Sequence, residues 1–106
     1  MINITFKPET LELEIEGHAE HGEKGEDIVC PAISTLFYTL AQSVIESESM
    51  LVKKPVFKDK DGRGYLKCKP KKEYEGNIAR SYWTILVGFE LVANNYPKNV
   101  TLKVGG

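Results

Sequence analysis

Three stretches of this chain alternate apolar and polar residues with a period of two, and two longer ones repeat their apolar residues at helical spacing. That switch of period restricts the fold more than any other feature of the sequence. Ile2, Ile4 and Phe6 alternate with Asn3, Thr5 and Lys7. After a break at Pro8–Thr10, Leu11, Leu13 and Ile15 alternate with Glu12, Glu14 and Glu16. Val100, Leu102 and Val104 alternate with Thr101 and Lys103. Each is a strand with one apolar face, and the short first break suggests a hairpin. Between Val56 and Lys69, two further short strands flank the turn sequence Asp59-Lys60-Asp61-Gly62.

The helical stretches have single stripes. Pro31 suits a first helical position, and Ile33, Leu36, Phe37, Leu40, Val44 and Ile45 then recur on one side until Ser47–Ser49. A long helix from about Glu73 to Asn95 carries Ile78, Tyr82, Ile85, Phe89, Val92 and Tyr96 as its core stripe. The expected order is ββαββαβ. One-faced strands call for an α/β (α+β) two-layer sandwich: a mostly antiparallel sheet of four to five strands with two helices on one face. The whole chain, 1–106, reads as one domain. Trp83, Val87 and Leu91 form a second apolar row on the long helix. This row needs cover, either from a second copy in a homodimer, the preferred reading, or from a loop of its own chain.

Composition narrows the function classes. A formal net charge of −1 gives no basic footprint for nucleic acid, and the run Lys67, Lys69, Lys71, Lys72 reads as a solvated strand edge. No apolar stretch nears the ~20 residues that span a bilayer. Met1 to Lys7 lacks the apolar core of a signal peptide. The two cysteines, Cys30 and Cys68, lie in unlike settings, which suits a reducing cytoplasm better than a disulfide framework.

Chemistry concentrates between Gly17 and Cys30. Three glycines (Gly17, Gly22, Gly25) and several charges make a loop there. A histidine at a strand end, His18, faces a cysteine at a helix start, Cys30, across that loop. Cys30 directly before Pro31 is expected at the helix N-cap, where orphan N–H groups and the positive dipole end favour a thiolate. Taken alone, Cys30 reads as an inert, small buried hydrophobe, and His18 as a surface residue at a strand end. Together they form a nucleophile and a base. Asp27 either orients the imidazole or caps the helix. Ser34 lies one turn after Cys30 on the same face, as a substrate or thiolate partner or a flank filler. His21 is solvent-exposed or adjacent to substrate. Zinc held by His18, His21 and Cys30 is the rival chemistry, but no cysteine pair with zinc-site spacing occurs.

Gly17-His18-Ala19, His21-Gly22, Asp27-Ile28-Val29-Cys30 and Ser34 resemble the ribosomal-processing cysteine protease family, including the separation of twelve residues between His18 and Cys30. The resemblance spans the whole domain. It implies a dimeric two-layer sandwich and a cysteine endopeptidase without cofactor or metal. Such an enzyme removes a short N-terminal extension from a large-subunit ribosomal protein. By resemblance His18 is the base, Cys30 the nucleophile, and Asp27 and Ser34 supporting residues. Gly17, Ala19, His21, Gly22 and Gly25 belong to a flap that orders over the peptide. A non-catalytic module that holds a peptide in the same groove is the alternative. Where the family has a small residue after the cysteine, this chain has Pro31. Position 31 therefore has no N–H for an oxyanion, which leaves the N–H of Cys30, Ala32 or Ile33, or a side chain.

Overall fold

A computed structural model describes residues 1–17 and 26–105, with the backbone alone at 26 and 27. Strand β1 (Ile2–Lys7) turns into β2 (Glu12–Gly17), and helix α1 (Glu26–Glu46) follows. Then come β3 (Val56–Lys60), β4 (Arg63–Lys67), helix α2 (Glu75–Asn95) and β5 (Val100–Val104). The sheet order is β3-β4-β2-β1-β5. Neighbours are antiparallel except β1 and β5, which run parallel with Ile4 opposite Leu102. The parallel pair follows from α2, a crossover helix that returns the chain to the same end of the sheet.

Alternation builds the two layers as expected. Ile2, Ile4, Phe6, Leu13, Ile15 and Leu66 face the helices and are buried. They meet Val29, Ile33, Phe37, Leu40 and Val44 of α1, and Ile78, Tyr82, Leu86 and Phe89 of α2. The other sheet face is polar, with Arg63 bonded to Glu16 and Tyr65 to Glu12. Gly88 lets the helices close on each other, since a Cβ there would come within 2.7 Å of a Leu36 methyl. Leu86 replaces Ile85 at the centre of the α2 stripe, and Ile45 lies exposed at the end of the α1 stripe.

The start of α1 corrects the sequence reading. The helix begins at Glu26, so Pro31 lies inside it and Cys30 is not an N-cap. Val29, one turn before Ile33, explains this: it is fully buried and extends the apolar stripe backward. Pro31 costs the helix one internal donation, to the carbonyl four residues earlier. Within α1, Ile28–Glu46 is long and apolar enough by composition to cross a membrane, contrary to the expectation of no such stretch. Its buried side chains pack on the sheet, as in the core helix of a folded domain.

Candidate active site

Cys30 is half-buried and sits near the start of α1, packed against the core beneath it. Ser34 and Tyr38 follow at one-turn intervals on the same face, both exposed. The three line a cleft of about 190 Å³. Its opposite wall is the end of β2 at Gly17 together with the β3–β4 turn, through Asp59, Gly62, Arg63 and Gly64. Ile33 and Phe37 lie beneath.

Gly17 is the last residue of β2 and so belongs to the sheet as well as to the loop expected there. Its φ of +106° is open to glycine, and a Cβ would lie 2.2 Å from the Met1 carbonyl oxygen. Its N–H donates to the Gly62 carbonyl at 2.9 Å. The chain thus leaves β2 toward residue 18 from a pinned backbone. His18, Ala19, His21, Gly22 and Gly25 lie outside the described residues, as does the Asp27 side chain.

The second cysteine is a different kind of thiol. Cys68 is buried, and the Tyr82 hydroxyl donates to its Sγ at 3.5 Å. Burial pushes the Cys68 thiol up, and the Tyr82 bond offsets this in part. It stays a neutral part of the core. Among the described residues no group of His, Cys, Asp or Glu is arranged to hold a metal ion.

Three cleft residues escaped the sequence reading: Tyr38, Asp59 and Arg63. Tyr38 stands two helical turns after Cys30 and donates its hydroxyl to the Asp59 carboxylate. The spacing of Tyr38 from Cys30 was a usable signal. That of Asp59 was not, because its turn looks the same whether or not it meets a helix.

These elements form a small α+β sandwich with a half-buried helix thiol opposite a strand end, and the comparisons with known proteins assign it to the cysteine proteases. The chain belongs to the cysteine protease Prp family, whose description fits residues 1–101. It is 24% identical over 101 residues to the ribosomal processing cysteine protease Prp of Staphylococcus aureus strain Mu50, covering 95% of this chain and 92% of that one. The crystal structure of an essential S. aureus ribosomal processing protease Prp with a covalently linked product peptide superposes with a TM-score of 0.71 at 23% identity. That match covers 97% of this chain and 96% of the other. A Streptococcus mutans protein of known structure gives 0.66 at 29% identity, over 98% and 91% of the two chains.

Proposed function

We propose that this cysteine protease processes a ribosomal protein, removing a short N-terminal extension from a large-subunit component, with Cys30 as nucleophile and His18 as base. The observation that carries the reading is the cleft: Cys30 and Ser34 share it with Gly17, the residue from which the chain continues to His18. The S. aureus relative has been captured with a substrate peptide and with a covalently linked product peptide, which supports peptide as the ligand.

In this mechanism the Cys30 thiolate attacks the scissile carbonyl, His18 protonates the leaving amine, and water releases the acyl group. Asp27 orients the imidazole. The helix changes where the oxyanion stabiliser is found. N–H groups inside a continuous helix point to carbonyls four residues back, so those of Cys30, Ala32 and Ile33 are engaged along α1. Ser34, exposed on the Cys30 face and lining the same cleft, is then a side-chain donor for the oxyanion. Gly17, Ala19, His21, Gly22 and Gly25 cover the bound peptide. The setting is cytoplasmic, without cofactor, and the enzyme is a homodimer through Trp83, Val87 and Leu91.

The test is cleavage of a peptide spanning the N-terminal extension and first residues of the ribosomal protein. Cys30→Ala is expected to abolish cleavage while leaving the melting temperature within a few degrees. Ordinary turnover by that variant removes the nucleophile. Peptide binding without any cleavage by the parent chain identifies a binding module instead.

A further inference from the structure

The β3–β4 turn touches both elements that the proposed reaction needs. Toward β2 it holds twice: the Gly17 N–H donates to the Gly62 carbonyl at 2.9 Å, and Arg63 pairs with Glu16 at 2.8 Å. Toward α1 the same hairpin holds by ring packing and by one hydrogen bond, and Phe57 of β3 packs against both Phe37 and Tyr38. The Phe37 ring lies against Gly64, where a Cβ would come within 2.8 Å of it, and the Tyr38 hydroxyl donates to the Asp59 carboxylate. The turn is stiff. Asp61 and Gly62 both have positive φ, 42° and 77°, the two-residue geometry that matches the twist of paired strands.

The core does not require the Tyr38–Asp59 bond. Tyr38 is 46% exposed, and every residue of β3 is exposed. An exposed bond of this kind adds little to stability. Its placement is the informative part. Phe37 against Gly64, and the Phe57 ring against Phe37 and Tyr38 at 5.7 and 6.5 Å between centroids, fix how near α1 lies to the hairpin, but ring contacts of this kind set direction only weakly. Tyr38–Asp59 is directional and fixes the register, on the helix face that carries Cys30. The bond to Asp59 also pushes the Tyr38 hydroxyl up from the ordinary tyrosine value, so the phenol keeps its proton to higher pH than a free tyrosine.

We infer that the β3–β4 turn is a bracket that sets α1 against the end of β2, with Tyr38 and Asp59 as positioning residues for the Cys30 thiol. The inference rests on the reading of Cys30 and His18 as the reacting pair. Tyr38 is ~12 Å along the helix from Cys30, so it acts through the helix and not on substrate directly. Reacting groups lose roughly a hundredfold in rate for a misplacement of about 1 Å, which makes a register bond of this kind worth keeping.

The test is iodoacetamide alkylation of the full chain, with Cys30 scored by peptide mass. The readout is the ratio of its rate at neutral pH to its rate near pH 10. At about that pH a thiol with the ordinary value of about 8.5 is ionised, and the rate reports access alone. Tyr38→Phe and Asp59→Ala are expected to lower the ratio about tenfold, toward the His18→Ala value, with the pH 10 rate and melting temperature unchanged. Asp59→Asn keeps an oxygen that accepts from Tyr38 and is expected to match the parent. Tyr65→Phe, which deletes a hydroxyl bonded to Glu12 on the other sheet face, is expected to match it too. If His18→Ala lowers the ratio and Tyr38→Phe does not, the bracket fails while the catalytic pair stands. If Asp59→Asn falls as far as Asp59→Ala, the charge and not the bond is what matters, and the bracket fails as well. If His18→Ala leaves the ratio unchanged, the pair fails and the bracket with it.

Discussion

At the scale of single residues, two crowded environments decide most of what can be tested. Gly17 holds φ at +106° with the Met1 carbonyl where a side chain would be. Gly17→Ala is therefore expected to cost about 1–3 kcal/mol, read as a lower urea midpoint. Gly76→Ala is the contrast: nothing lies within 4 Å of its Cβ position in α2, so that change is expected to be neutral or to stabilise by up to about 1 kcal/mol. The second environment is the Tyr82–Cys68 pair. Burial raises both groups above their ordinary ranges, Tyr82 further than Cys68. The folded chain then keeps protons that the unfolded chain releases above about pH 8.5 for cysteine and about pH 10 for tyrosine. Stability is full below that window and falls as pH rises through it. Thermal melts from pH 8 to 11 should show this fall, and Tyr82→Phe should flatten its upper part. A fall of equal slope in Tyr82→Phe would assign the loss to other groups. The two were not equally legible in the sequence. Gly17 read as one loop glycine among three, because the Met1 carbonyl comes near it only once β1 and β2 pair. Tyr82 was legible as core from its helical spacing.

At the scale of elements, the sequence reading succeeded where one face decides the structure and failed where a distant partner does. Both helices and the strands β1, β2 and β5 were legible from period; β3 and β4 were read from the turn between them, and that turn is Asp61-Gly62, since Asp59 and Lys60 belong to the fully exposed β3. The start of α1 was not, because Pro31 is a good first helical residue and loop glycines precede it. What overrode that signal was Val29, whose burial against the sheet depends on tertiary packing. The parallel pairing of β5 with β1 was illegible for a related reason: alternation says which face is buried, not which neighbour a strand takes. The observed helix start makes a prediction. Val29→Ala is expected to cost about 2 kcal/mol, since the side chain is fully buried. Ile28→Ala, at a side chain 52% exposed, is expected to stay within about 0.5 kcal/mol. Equal urea midpoints for the two variants would return residues 28 and 29 to a loop and Cys30 to the helix end.

At the scale of the whole molecule, the unsettled feature is the outer side of α2. Trp83, Val87 and Leu91 recur at one-turn intervals and are 42%, 60% and 59% exposed. The described residues leave this row open to solvent. A second copy would bury it, because a two-fold axis pairs a helix face with itself. Trp83 differs from the other two: its ring meets Phe6 edge-on at 5.2 Å, so it links the row to the core. Trp83→Asp thus risks the fold as well as the interface. Leu91→Asp and Val87→Asp put a charge on the row without touching that contact. We expect the parent chain to sediment as a dimer, and either variant to sediment as a monomer with its melting temperature otherwise close to the parent's monomeric limit. A stable interface of this type buries upward of about 1,000 Å² in all, so neighbouring residues must join the row, and a charge at its centre should weaken association by at least tenfold. An unchanged dimer in both variants would move the interface elsewhere on the molecule. A parent that sediments as a monomer at tens of micromolar would leave the row to a different protein partner, and the two-fold argument would fall.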